Sequence, residues 1–152
     1  NDSLRLAPLD AGRLVRNVAE TASLGGALVA AKTEDGLVVN ADLDRLRRAI
    51  DNLVVNAIGH SPAGATVTVT ARREGGSVVI AVADKGDGIA SSDLERVFEP
   101  GVRLTDARPG SGLGLAVVRA IAREHGGEVE VRSSPGQGAT FRLVLPAASD
   151  AS

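Results

Sequence analysis

Two asparagines and an arginine are spaced so that a helix would place them on one face. Asn52 and Asn56 are four residues apart, and Arg48 lies four residues before Asn52, which is the spacing at which side chains stack along a helix. Carboxamide oxygens can ligate Mg²⁺, a hard cation that prefers oxygen and keeps several waters. Taken alone, the pair is also what a solvated helix face commonly carries, so it indicates a metal site only together with other signals.

A second chemical signal comes directly after a continuous apolar run at residues 78–83. Asp84 is followed by Gly86 and Gly88 at alternating positions. A carboxylate at the end of a strand can accept hydrogen bonds from a ligand amine, and glycine allows backbone to approach a ligand closely. The same residues also suit an ordinary glycine-assisted turn.

Two further glycine-rich segments precede predicted elements. Gly110, Gly112 and Gly114 open an apolar-periodic segment, and the free N–H groups and dipole of a helix N-terminus favour phosphate. The segment is not a Walker A loop, since no Gly-Lys-Ser/Thr occurs, and it lacks the two-residue gap of the dinucleotide fingerprint. Gly136 and Gly138 precede the last strand and by themselves indicate only a hairpin turn.

The elements that would hold these residues alternate between helical and strand periodicity. Asp10 and Asp42 are suitable N-caps for two helices, of which the second ends before Ser61. Its predicted apolar face consists of Leu43, Leu46, Ala49, Ile50, Leu53, Val54, Ala57 and Ile58. Further helices are predicted at residues 91–98 and 113–125, a loop at 99–111, and strands at 37–39, 67–71, 78–83, 128–132 and 139–145. This order predicts an α/β protein, a two-layer sandwich of a mixed sheet with helices on one face.

Composition limits the chain to one domain and excludes several chemistries. The 152 residues suit a linker at 1–9, one domain at 10–147 and a tail at 148–152. The absence of cysteine excludes disulfides and sulfur-based metal sites, and the two histidines, His60 and His125, are too few for a histidine-rich centre. A net charge of −2 gives no basic field for nucleic acid, and no apolar run approaches the length of a membrane span. The chain contains no methionine, and we expect it to be cut from a larger protein.

The order and spacing of the signals resemble the nucleotide-binding boxes of the GHKL superfamily, which includes gyrase, Hsp90 and histidine kinases. The matching segments are Asn52-x-x-x-Asn56-Ala57 (N box), Asp84-x-Gly86-x-Gly88, Phe98-Glu99-Pro100 (F box), Gly110-x-Gly112-x-Gly114, His125-Gly126-Gly127 and Gly136-x-Gly138-x-Thr140-Phe141. The F box and the His-Gly-Gly step are most similar to the catalytic, ATP-binding domain of bacterial sensor histidine kinases, which has the Bergerat-type fold.

The resemblance implies a site for ATP and Mg²⁺ between the N-box helix and a lid at residues 99–111. It implies that Asp84 reads the adenine amino group, with Ile89 and Thr140 beside the base. Asn56 would hold Mg²⁺ with Asn52 beside it, and Arg103 would reach the γ-phosphate. The remaining residues implied in ATP binding are His60, Gly86, Gly88, Gly110, Gly112, Leu113, Gly114 and Leu115.

Two departures from the superfamily pattern refine the expected activity. Arg48 stands where the ATP-hydrolysing members carry a glutamate as general base, and an arginine cannot accept a proton from water. His60 is followed by Ser-Pro and His125 by Gly-Gly, so neither resembles the phosphoacceptor motif of a sensor kinase. His125 is expected to favour a helix C-terminus through the dipole, and the acceptor histidine is expected upstream of residue 1.

The favoured hypothesis is therefore a histidine kinase catalytic domain that donates the γ-phosphate of ATP to a histidine on a separate upstream dimerisation domain, in a two-component system with a response regulator. The expected setting is the cytoplasmic part of a membrane-bound homodimeric sensor, with this fragment monomeric. An anti-sigma-factor-type serine kinase and a degenerate ATP-binding scaffold are the alternatives on the same fold.

Overall fold

In the part of the chain that the structure describes, a five-stranded sheet forms one layer, and three helices pack on one of its faces. The computed structural model describes residues 3–86, 98, 111–133 and 136–148. The elements are β1 (Ala7–Asp10), α1 (Ala11–Leu24), β2 (Val29–Thr33), β3 (Val38–Ala41), α2 (Leu43–His60), β4 (Val67–Glu74), β5 (Ser77–Ala83), α3 (Ser111–Glu124), β6 (Glu128–Ser133) and β7 (Ala139–Pro146). None of the helices described is both long enough and apolar enough to cross a membrane.

The main sheet has the order β2-β4-β5-β7-β6. β2 and β4 are parallel, whereas the β4–β5, β5–β7 and β6–β7 pairs are antiparallel. Alternate residues face the helices, as Val67, Val69 and Ala71 of β4 do, and these are buried. The mixed sheet with helices on one face confirms the predicted α/β class.

The prediction missed two strands. Ala7–Asp10 pair with β3 in antiparallel register, although residues 1–9 are predicted to be a linker. β1 is short, contains Pro8 and is largely exposed, so it shows no apolar alternation and depends on its pairing with β3. β2 has only half-buried residues, Val29, Ala31 and Thr33, on its inner side, and the small and polar residues among them give a weak apolar pattern.

The apolar face predicted for α2 is correct at its centre and wrong at its ends. Leu46 to Ala57 supply its buried residues, whereas Leu43 is 52% exposed and Ile58 is 38% exposed. Leu43 is the first residue of the helix, and Ile58 lies in the last turn beside an open groove that Leu28 and Pro62 also line. The helix extends beyond the layer it covers, so periodicity alone overestimates the buried stretch. The predicted helix at 91–98, apart from Phe98, and the predicted loop at 99–111, apart from Ser111, lie outside the described residues.

Asp42 makes more contacts than a simple helix cap. Like Asp10, whose Oδ1 accepts a hydrogen bond from the N–H of Arg13 at 3.2 Å, Asp42 Oδ1 accepts from Arg45 N at 3.1 Å. Asp42 Oδ2 also accepts from the N–H of Arg5 at 3.0 Å. These bonds, first that from Arg5 and then that from Arg45, lower the pKa of Asp42.

Asp42→Asn is expected to destabilise the protein at neutral pH, because an amide group turns a donor toward the N–H of Arg5 while its oxygen keeps the cap. The lowered pKa means that the carboxylate stabilises the fold above the ordinary aspartate pKa of about 3.9, and that this contribution is lost as the pH falls through the lower folded value. Thermal unfolding from pH 7 to 3 should therefore show a difference between parent and variant that shrinks below about pH 4. Asp10→Asn is the matched control, since Asp10 caps only Arg13. An equal loss in both variants would contradict a special role for the bond to Arg5.

His125 is buried, and both of its ring nitrogens are hydrogen-bonded. The N–H of Asp42 donates to His125 Nε2 at 3.0 Å, so that nitrogen must be the acceptor. Nδ1 then carries the hydrogen and donates to the carbonyl oxygen of Ile121 at 2.8 Å. The bond to Ile121 is the interaction with the C-terminus of α3 that its position predicts, and the bond from Asp42 also bridges the end of α3 to the start of α2.

Candidate functional site

Three chain segments meet around Asp84, directly after β5. The alternation that buries Ile80 and Val82 continues to Asp84, which is 7% exposed on the side of the sheet that the helices cover. Its Oδ1 accepts from the N–H of Gly86 at 2.9 Å and from that of Ala139 at 3.1 Å. Its own N–H donates to the carbonyl of Ala139 at 2.8 Å. One oxygen of the carboxylate therefore holds the turn after β5 against the start of β7.

The other oxygen of Asp84 is free to accept. Oδ2 is buried and has no hydrogen-bond partner among the described residues. Burying an acceptor without a partner costs about 1–3 kcal/mol, so the position is suited to a donor that arrives with a ligand. Oδ1 is used in the fold and Oδ2 has no partner among the described residues, which fits the predicted recognition of an amino group by Asp84.

Two glycines allow these segments to approach each other. A Cβ at Gly86 would lie against the carbonyl oxygen of His60, and a Cβ at Gly138 against the carbonyl oxygen of Asp84. Gly138 also has a φ of +76°, in the left-handed region that favours glycine. Sequence analysis assigns Gly86 to close approach of a ligand, whereas in the structure the close neighbour is the last residue of α2.

Ser61 adds a second tie between α2 and the turn after β5. Its Oγ donates to the carbonyl of Ala57 at 2.8 Å and accepts from the N–H of Lys85 at 3.4 Å. Sequence analysis missed both Ser61 and Ala139 as site residues. The position of Ser61 directly after a helix was a usable signal, whereas Ala139 contributes only backbone and leaves none.

The two asparagines of α2 have different environments. Asn56 is 8% exposed, and neither its Oδ1 nor its Nδ2 has a partner among the described residues. Asn52 is half-buried, and its Nδ2 donates to the carbonyl of Gly114 in the first turn of α3 at 3.4 Å. The spacing predicts that they share one face of α2, and at Asn52 this face contacts the start of α3.

The start of α3 supplies unpaired backbone donors. The helix begins at Ser111, so the N–H groups of Gly112 and Leu113 lie in its first turn and have no partner within the helix. A Cβ at Gly114 would meet nothing within 4 Å, which leaves open space beside that turn. Such a terminus binds anions.

Comparison with known proteins identifies the family. Residues 41–149 match the model described as "Histidine kinase-, DNA gyrase B-, and HSP90-like ATPase". The chain belongs to this family. Relatives of this ATPase-family domain include the alginate biosynthesis sensor protein KinB of Pseudomonas aeruginosa, 49% identical over 68% of the chain and 18% of KinB. The sensor-like histidine kinase SenX3 of Mycobacterium tuberculosis is 49% identical over 76% of the chain and 29% of SenX3.

A solved structure extends the likeness to almost all of the ATPase-family domain. Full-length ShkA in complex with AMPPNP superposes with a TM-score of 0.84 and 36% sequence identity over 99% of this chain and 33% of ShkA. The domain thus spans less than a third of the curated relatives and a third of ShkA.

Thr140 does not join the other predicted residues of the ATPase-family domain. It pairs with Ala83 of β5 and Arg132 of β6, and its side chain lines the uncovered face of the sheet with Thr68 and Ala81. The residue of β7 that contacts Asp84 is its neighbour Ala139. Successive residues of a strand point to opposite faces, so an error of one position moves the side chain to the other side of the sheet.

Leu115 and Phe98 belong to the core of the domain. Leu115 is 6% exposed, so its side chain stabilises α3 against the sheet and is not available to a ligand. Phe98, of the F box, packs edge-to-face on Phe141 at 5.9 Å between ring centroids, and the guanidinium of Arg119 lies over its ring at 5.8 Å. Gly88, Ile89, Arg103 and Gly110 lie outside the described residues.

The described part of the domain has no protein cage for a metal ion. It contains no group of three or more histidine, cysteine, aspartate or glutamate side chains that could hold one. The buried amide of Asn56 offers an oxygen without a partner, which fits one ligand of Mg²⁺. A cation there would need oxygens from its ligand and from water to complete its shell.

Proposed function

We propose that the chain is the ATP-binding catalytic domain of a sensor histidine kinase and donates the γ-phosphate of ATP to a histidine on a separate domain. The observation that carries this proposal is the pair of unpartnered buried polar groups, Asp84 Oδ2 and the amide of Asn56. The two groups lie near the same end of α2. His60, four residues after Asn56, has its carbonyl oxygen against Gly86, which is two residues after Asp84. Family membership and the named kinases among the relatives support the same conclusion.

Asp84 would select the base. The exocyclic amino group of adenine is a donor, and a buried carboxylate oxygen without a partner is the complementary acceptor. By the family resemblance, Ile89 and Gly88 would lie near the base. His60 would border it through the end of α2, where its carbonyl already fixes the turn at Gly86.

The phosphates would lie between α2 and the start of α3. The N–H groups of Gly112, Leu113 and Gly114 present positive dipole to them, with Gly110 just before. Asn56, assisted by Asn52, would hold Mg²⁺, which neutralises phosphate charge when bound. Arg103 would reach the γ-phosphate.

The transfer itself requires little covalent work from this domain. Phosphoryl transfer depends mainly on positioning and on neutralisation of charge, which amides, backbone donors and an arginine can supply. The acceptor histidine would lie on an upstream dimerisation domain, since His125 is buried between α2 and α3 and His60 is followed by Ser-Pro. The whole protein would be a cytoplasmic-facing homodimeric membrane sensor that acts on a response regulator, and this fragment would be monomeric.

A radiolabel transfer assay tests the proposal. With ATP and Mg²⁺, the fragment alone is expected neither to label itself nor to turn over ATP appreciably. The face of α2 offers Arg48, Asn52 and Asn56, none of which can accept a proton from water, and general-base assistance is typically worth about 10²–10⁴-fold. Mixed with the acceptor domain of its own parent protein, it is expected to transfer label to that domain's histidine. Arg103→Ala should weaken this transfer.

The outcomes distinguish the alternatives. Robust turnover by the fragment alone would favour an ATPase and contradict the kinase proposal. Binding of ATP without transfer to the acceptor domain would favour a scaffold, and label on a serine of another protein would favour an anti-sigma-factor-type kinase.

A further inference from the structure

Three polar contacts between α2 and α3 are described, and they differ in strength. Asp42 N donates to His125 Nε2 at 3.0 Å in a buried environment. Arg45 and Glu124 form an exposed ion pair at 3.4 Å, and exposed pairs contribute little. The third, from Asn52 to the carbonyl of Gly114, is a long bond of 3.4 Å near the start of α3.

The buried contact is fixed on both sides. His125 Nδ1 donates to the carbonyl of Ile121 at 2.8 Å, which sets the orientation of the ring. Gly127, two residues later, lies so close to β7 that a Cβ would meet the carbonyl oxygen of Val144. The end of α3 is therefore held to α2 through His125 and to the sheet through Gly127.

A helix transmits this constraint to its other end. α3 has 14 residues, about 21 Å at 1.5 Å per residue, and its first turn carries the backbone donors of Gly112 and Leu113. A tilt that begins at His125 moves those donors relative to the asparagine face of α2. The weak bond between Asn52 and Gly114 is not sufficient to hold them there.

We propose that His125 is a positioning residue, which sets the placement of the first turn of α3 against Asn52 and Asn56 by accepting the hydrogen bond from the N–H of Asp42. His125 touches no part of the proposed nucleotide site and acts through α3. The inference rests on the proposed function, because the groups that it positions are those that would bind the phosphates.

The contact also includes the N-terminal segment. Asp42 is the residue whose Oδ2 accepts from the N–H of Arg5, while its backbone N–H donates to His125. The segment around Arg5, the start of α2 and the end of α3 thus meet at Asp42. Asp42 is at the N-terminal end of α2, whereas Asn56 lies near its C-terminal end. A displacement of the segment around Arg5 would therefore move Asp42 and His125, and through α3 the first turn of that helix.

The test compares His125→Leu, which removes the acceptor, with His125→Gln, whose amide oxygen can accept from Asp42 N. We expect His125→Leu to weaken the binding of Mg²⁺-ATP about tenfold, within the usual range for coupling between sites, and His125→Gln to recover most of it. Affinity is measured by calorimetry at a temperature where each variant is folded, and amide exchange is followed at Gly112 and Gly114. Val15→Ala, a buried change on α1, controls for lost stability and should leave affinity unchanged.

Each result decides the inference. Parental affinity in His125→Leu, or an equal loss in Val15→Ala and His125→Leu, would overturn it. Should the leucine variant not fold, His125→Asn replaces it, because its shorter amide can still donate to Ile121 but does not reach Asp42. If the parent itself binds no ATP, the proposed function fails, and faster exchange at Gly112 and Gly114 in the variant alone then supports positioning, whereas unchanged exchange contradicts it.

Discussion

Asp84→Asn is expected to weaken ATP binding by about ten- to more than a hundredfold, the equivalent of a hydrogen bond to a charged group at about 1.5–3 kcal/mol. The asparagine oxygen can keep the bonds from Gly86 and Ala139 that the carboxylate now accepts. Its Nδ2 then occupies the place of Oδ2 and turns a donor toward the amino group of adenine. The fold should survive while recognition of the base is lost.

Calorimetry with two nucleotides separates recognition of the base from collapse of the site. Inosine triphosphate carries a carbonyl oxygen where ATP carries the amino group, so the parent should prefer ATP and Asp84→Asn should lose that preference. Asp84→Ala is the companion variant, which also frees Gly86 and Ala139 and should reduce thermal stability. Near-parental ATP affinity in Asp84→Asn would remove Asp84 from the site.

Asn56→Leu is expected to separate stability from activity. Both polar atoms of the Asn56 amide are buried without a partner in the described part of the chain, and leucine has the same number and branching of side-chain heavy atoms, so the free energy of unfolding without nucleotide should not fall. Transfer of phosphate to the acceptor domain should fall by about a hundredfold, since a bound cation is worth several kcal/mol of charge stabilisation. Thermal unfolding with and without Mg²⁺-ATP, together with the radiolabel assay, measures both effects.

Asn17→Leu provides the matched control for Asn56→Leu. Asn17 lies on the exposed side of α1, away from the asparagine face of α2, and its replacement should leave both the nucleotide-induced stabilisation and the transfer rate unchanged. A clear loss of stability without nucleotide in Asn56→Leu would mean that the amide has a structural partner. Unchanged transfer would exclude Asn56 from the metal site.

Elements with strong local signals were predictable from the sequence. The N-caps Asp10 and Asp42, the end of α2 before Ser61 and the β6–β7 hairpin all follow from patterns within a few residues. β1 was not predictable, because four largely exposed residues have no periodicity of their own and are ordered only by pairing with β3. The class of the sheet survived this omission, because β1 pairs outside the main sheet.

In the site, too, the contacts between residues far apart in the sequence were not predictable. The residue types of Asp84 and Asn56 and their spacing were sufficient to predict a site. They did not show that Oδ1 of Asp84 accepts a structural hydrogen bond from Ala139, 55 residues away, while Oδ2 has no partner among the described residues. The hydrogen bond that His125 Nε2 accepts comes from Asp42, which is 83 residues away. For Thr140 the information was present: the alternation that correctly places Phe141 inward places its neighbour on the uncovered face.

Phe98 and Phe141, which form the edge-to-face pair, are the only phenylalanines of a chain that contains no tyrosine or tryptophan. A protein with two phenylalanines as its only chromophoric side chains is nearly transparent in the near ultraviolet, where adenine nucleotides absorb. Bound nucleotide can therefore be counted directly by absorbance after gel filtration, against a protein concentration measured from the peptide bond. A single tryptophan placed anywhere in the domain would be its only residue excited at wavelengths where phenylalanine does not absorb.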